Sequence, residues 1–147
     1  KIFIPKGARV LPIASEAADH HLAGSAANAR LSDLHWPLDL VWLGMGSDGH
    51  TASIFPGPDM DAALNAGKDV RAVGVAPDPL PPEAPVNRVT LTASAIASAR
   101  TTIVVFTGAD KRAVFDKAVE EGGKSTSPIG QVLHRIAVPV DIYCLDG

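Results

Sequence analysis

Apolar residues fall along the chain in short uninterrupted runs, separated by stretches in which they recur at helical spacing. "LDLVWL" (38–43) has no polar alternation after Asp39, the pattern of a strand covered on both faces and therefore central in a sheet. "TTIVVF" (101–106) repeats it, and "VPVDIYCL" (138–145) reads as a last strand. "VRAVGVA" (70–76) and "RVTLT" (88–92) are two more strands, joined by "PDPLPPEAPVN", whose five prolines oppose both helix and strand and make a stiff extended connection. Residues 15–33 place Ala18, Leu22, Ala26 and Ala29 on one helical face behind a Ser15 N-cap, with Gly24 as the weakening residue. Residues 108–121 predict an amphipathic helix, 127–134 a shorter one, and 121–128 a loop by composition. There is no repeat, heptad or low-complexity tract. Strands alternating with helices predict a single α/β domain over residues 1–147 around a largely parallel sheet.

Composition narrows the partners. With 147 residues, 46% hydrophobic and 20% charged, the chain closes one core rather than two. A formal net charge of −3 supplies no basic field for a phosphodiester backbone, so no nucleic-acid partner is expected. No apolar run reaches the roughly 18–20 residues of a membrane span, and no secretory signal opens the chain, so no membrane partner is expected either. Cys144 is the only cysteine, which rules out an intrachain disulfide and a cysteine-based zinc cluster and suits the cytoplasm. His20, His21 and His35 lack the spacing of a metal site, so no metal is expected, and His134 ends a helix where a cation suits the dipole. Trp36, Trp42 and Cys144 read as packing residues. The opening "KIFIP", without a methionine, reads as the interior of a longer chain.

The chemistry gathers in "LGMGSDGHTASIFPG" (43–57). "GMGSDG" satisfies G-x-G-x-x-G after a strand, with Asp69 about 20 residues on, as a dinucleotide fingerprint asks. The crossover helix of that fold is missing, because "FPGP" breaks any helix after about two turns and Asp69 precedes its strand. A different use of the loop fits better. Gly44, Gly46 and Gly49 let backbone amides approach a ligand, and a helix starting at His50 favours developing negative charge and a neutral imidazole that accepts a proton. Asp48, two residues earlier, orients that ring. The plain alternatives are a turn-capping His50 and an N-capping Asp48.

"LDLVWLGMGSDGHTASIFPG" resembles the signature of the 6-phosphogluconolactonases. The likeness continues in "PPEAPVNRVTLTASAIASAR" (81–100), "IVVFTGADKRAVFDKAV" (103–119) and the closing "VPVDIYCLD", covering most of the chain from about residue 37. It implies a three-layer, Rossmann-like fold shared with the glucosamine-6-phosphate deaminases. It also implies cofactor-free hydrolysis of 6-phosphoglucono-δ-lactone in the oxidative pentose phosphate pathway. Under it His50 is the general base and Asp48 its holder, while Arg88 and Lys111 bind the substrate's phosphate. Without it, Arg88 is as well explained by a surface ion pair and Lys111, beside Arg112, by a solvated helix face. The deaminases carry a glutamate shortly after the equivalent histidine; here Thr51, Ala52, Ser53, Ile54 and Phe55 follow, and no carboxylate until Asp59. Family members have roughly a hundred further residues before this point, a domain-scale length, with a Ser-Gly-Gly loop and an Asp-Glu-Arg block that residues 1–36 lack. The resemblance therefore implies the C-terminal part of a longer chain. A non-catalytic sugar-phosphate-binding or assembly fragment is the alternative, and an open sheet edge predicts self-association.

Overall fold

The structure is a computed structural model that describes residues 6–13, 19–82 and 85–145. Three strands form a parallel sheet in the order β1 (Leu40–Leu43), β4 (Thr101–Thr107), β5 (Val140–Leu145). Between them in sequence lie α2 (Met60–Leu64), β2 (Ala72–Val75), β3 (Arg88–Leu91) and α3 (Ala93–Ala97). The parallel expectation holds for β1, β4 and β5. It does not extend to β2 and β3, which pair antiparallel with each other as a separate hairpin. The proline-rich segment joins the two strands of this hairpin.

One face of the main sheet carries the core. Val41, Leu43, Val104 and Phe106 point into it and meet Ala63 and Leu64 of α2, Ile96 of α3, Phe115 of α4 (Ala109–Glu121) and Ile129 and Val132 of α5 (Pro128–Arg135). The other face differs from expectation. Leu40 and Trp42 are 49% and 69% exposed, so β1 alternates between buried and open positions. Among the described residues it pairs only with β4, at the edge of the sheet rather than in its centre. An apolar run shows that a strand can be covered twice, not that it is. Tyr143 and Leu145 of β5 are likewise exposed, and Cys144 is half-buried. The third layer implied by the resemblance is not formed over this face by the described residues.

Helix α1 (His20–Leu31) is capped by Asp19, whose carboxylate accepts the Leu22 amide at 3.0 Å; Ser15 and Ala18 lie outside the described residues. Its buried face is Ala23, Gly24, Ala27 and Leu31, one position round from the predicted one, and Leu22 is exposed. The reason is contact with β2: the helix backbone lies against Gly74, and only small residues fit between. Asn28 completes the joint, its side-chain oxygen accepting the Arg71 amide at 2.6 Å. Thr92 caps α3 through the Ala95 amide and donates to the Val70 carbonyl at 2.7 Å, tying the hairpin to the helix that follows. No helix among the described residues is long and apolar enough to cross a membrane.

Candidate active site

The chain turns sharply where β1 ends. The Thr51 hydroxyl donates to the Gly44 carbonyl at 2.8 Å and Met45 bridges to Thr51, so the loop closes on itself. Inside it the Gly46 amide donates to the His50 carbonyl at 2.9 Å and the Gly49 amide to the Gly46 carbonyl at 3.0 Å. Of Gly44, Gly46 and Gly49, expected to bring amides to a ligand, Gly46 and Gly49 have theirs engaged within the turn. The glycines serve clearance instead. A Cβ on Gly46 would stand 2.7 Å from Asp48 Oδ1 and against the imidazole, and Gly49 combines φ +80° with close packing on Ser127.

No helix begins at His50, which corrects the second expectation. The Ile54 amide donates to the Thr51 carbonyl at 2.9 Å, Ala52 takes φ +51°, and the next helix is α2. A residue at positive φ ends right-handed propagation at once. The ring is held by Asp48 rather than by a helix dipole. Asp48 Oδ1 accepts the His50 amide at 3.0 Å and stands 2.7 Å from Nδ1. Because a carboxylate only accepts, this pairing puts the proton on Nδ1 and leaves the Nε2 lone pair for a proton from elsewhere.

Phe55 completes the constellation and was not legible beforehand. Its ring stacks on the imidazole at 4.2 Å between centroids, and the Arg88 guanidinium lies 5.2 Å from the same ring. Asp48, His50 and Phe55 share a cavity of about 640 Å³ with Lys111. The proline-rich connection, represented by Asp78 and Pro79, forms another wall. The cavity opens at the C-terminal ends of β1 and β4, where open α/β sheets bind ligands. Lys111 reaches it from the first turn of α4, where the helix dipole also favours an anion. Neighbouring Arg112 turns away: it donates to both Asp116 oxygens, at 3.0 and 2.9 Å, and that bond, with Cys144 second, raises its pKa above the ordinary value. Lys111 is thus the cation of the pair that serves the cavity. Arg88 adjoins through Phe55, without lining the cavity itself.

Known proteins resemble the chain in sequence and in fold. A family model described as glucosamine-6-phosphate isomerases/6-phosphogluconolactonase matches residues 1–139. The chain is similar to a 6-phosphogluconolactonase of Mesorhizobium japonicum, 39% identical over 141 residues, covering 94% of this chain and 56% of that protein. Among solved structures it is similar to a 6-phosphogluconolactonase from Shewanella baltica, with 30% identity, a TM-score of 0.82, and coverage of 95% of this chain and 58% of the other. The Trypanosoma brucei enzyme of that name gives 32% identity and a TM-score of 0.69, covering 93% of this chain and 55% of its own. The chain spans a little over half the length of these relatives.

Proposed function

The chain belongs to the glucosamine-6-phosphate isomerase/6-phosphogluconolactonase family, and from that premise we propose that it contributes the hydrolytic site of a 6-phosphogluconolactonase. The observation that carries this reading is the Asp48–His50 pair, 2.7 Å apart, on a cavity that also holds Lys111. His50 Nε2 takes a proton from water as the water oxygen attacks the lactone carbonyl carbon. The tetrahedral alkoxide collapses, the bond from that carbon to the ring oxygen breaks, and the ring oxygen receives the proton back from the imidazolium. The product is the open acid, 6-phosphogluconate. Asp48 keeps the ring in one tautomer and balances its transient charge. Lys111 and the first turn of α4 hold the phosphate, with Arg88 as a second cation beside Phe55.

Turnover above the spontaneous rate tests the reading, with 6-phosphoglucono-δ-lactone compared with the unphosphorylated lactone. Lys111→Gln is expected to raise KM for the phosphorylated lactone about 10-fold or more, one charged contact being worth about 1.5–3 kcal/mol, and to leave the unphosphorylated one unchanged. Equal effects on both would remove Lys111 from the phosphate site. The same reading includes self-association: β1 has β4 on one side and, among the described residues, no strand on the other. Sedimentation is expected to give a mass that rises with concentration above 15.2 kDa; a constant monomer mass overturns that part alone.

A further inference from the structure

A second cavity, of about 670 Å³, lies at the opposite end of α5 from the glycine loop. The N-terminal end of that helix is fastened to the loop, the Ile129 amide donating to the Gly49 carbonyl at 3.0 Å; its last residue, Arg135, lines the second cavity. Lys68 and Arg71, from the turn before β2, line it too.

Among the described residues, the two arginines are bound only to neutral groups. Arg135 Nη1 donates to the Gln131 carbonyl and side-chain oxygen at 2.7 and 2.8 Å, and its Nη2 to Asn65 Oδ1 at 2.9 Å. Asn65 in turn gives its NH₂ to Asp61 at 2.7 Å, which fixes its oxygen toward the guanidinium. Arg71 lies 4.3 Å over the Trp36 ring and donates to the Lys68 carbonyl at 2.9 Å. Elsewhere Arg100, Arg112 and Lys117 each have a carboxylate within 4.0 Å, whereas other described cations such as Lys111 and Lys124 stand apart from one another on the surface. Among the described residues no carboxylate stands that close to Lys68, Arg71 or Arg135, although Asp69 lines the same cavity. In a chain of net charge −3, three cations against the single carboxylate of Asp69 leave this concavity with an excess of positive charge that an anion would balance. The two arginines are held in place by their neutral partners and keep N–H donors to spare, since a guanidinium has five.

We propose that this cavity is an anion site for a phosphate-bearing small molecule, separate from the cavity of His50 and Lys111. Its volume exceeds that of inorganic phosphate and admits a sugar phosphate. This site does not depend on lactone hydrolysis and stands or falls independently of that activity.

The test is amide NMR of the 147-residue chain titrated with inorganic phosphate and, separately, with glucose 6-phosphate, against sodium chloride of equal ionic strength. Saturable shifts are expected at the amides of Lys68, Asp69, Arg71 and Ser98, with a dissociation constant on the order of millimolar or below. Equal affinities for the two probes identify phosphate itself as the ligand; tighter binding of the sugar phosphate shows that the cavity also receives the sugar. Lys68 is exposed and its side chain holds nothing in place, so Lys68→Glu keeps the fold and is expected to weaken these shifts at least 10-fold. Lys111→Gln is expected to leave them unchanged. Shifts confined to Gly46, His50 and Lys111, shifts reproduced by chloride, or indifference to Lys68→Glu would each overturn the proposal.

Discussion

Replacing His50 by alanine is expected to lower the lactone-hydrolysing rate by about two to four orders of magnitude, the usual contribution of a positioned general base, with little change in KM. The reason lies in how little else in the loop can take the proton. Asp48 is the nearest carboxylate, but its Oδ1 is engaged by the His50 amide and by Nδ1 at once. The Thr51 hydroxyl donates to Gly44, and the Gly46 and Gly49 amides are committed to the turn. Asp48→Asn separates holding from accepting. An amide can pair with either tautomer of the ring, so the rate is expected to fall by less than in His50→Ala while KM again stays put. The lactone also opens unaided, so each rate is read after subtraction of the spontaneous one. If His50→Ala keeps the full acceleration, the pair is a turn-capping device and hydrolysis resides elsewhere. If the unsubstituted chain itself adds nothing to the spontaneous rate, the catalytic reading fails for this chain at the outset.

Much of the scaffold beneath that site was legible, and the parts that were not share a cause. The runs at 38–43, 101–106 and 138–145 contain strands because short stretches rich in β-branched and aromatic residues have few other uses. The helix over 109–121 follows from its amphipathic spacing. Whether an apolar run is covered on one face or two depends on what the rest of the chain brings, and so Trp42 was read as packed and is exposed. Helix α1 starts behind Asp19 rather than Ser15 and is rotated from its expected face, because periodicity weighs leucine above glycine while the contact with β2 needs the smallest residue. At the site, Asp48 and His50 could be paired from their spacing alone. The turn at 51–54 could not be told from a helix start, since Thr51, Ala52, Ser53 and Ile54 carry no breaker; the bridges of Thr51 to Met45 and Ile54 decide it. Phe55 and the proline-rich wall were invisible for a plainer reason: their contact with the imidazole and the cavity is tertiary.

Gly24→Ala is expected to destabilise the chain by about 2 kcal/mol, lowering the thermal midpoint by about 4–8 °C for a chain of this size. Local rules give the opposite sign. In a solvated helix interior, alanine is favoured over glycine by about 0.8–1.0 kcal/mol, so the same substitution would raise the midpoint. The difference comes from the crossing of α1 and β2. A Cβ on Gly24 would overlap the Gly74 backbone and come within 2.6 Å of the Val73 carbonyl carbon, and a Cβ on Gly74 would overlap the carbonyl of His20. Backbone cannot rotate aside as a side chain can. The helix must therefore move outward, which opens the small apolar cluster of Ala27, Leu31 and Ala72 and strains the Asn28 bond to Arg71. Ser25→Ala, on the exposed side of the same helix, supplies the control and is expected to shift the midpoint by no more than about 0.5 kcal/mol in equivalent stability. A Gly24→Ala midpoint above that of the unsubstituted chain would mean that α1 does not lie against Gly74. The face it buries would then be the one that Leu22 and Ala26 predict.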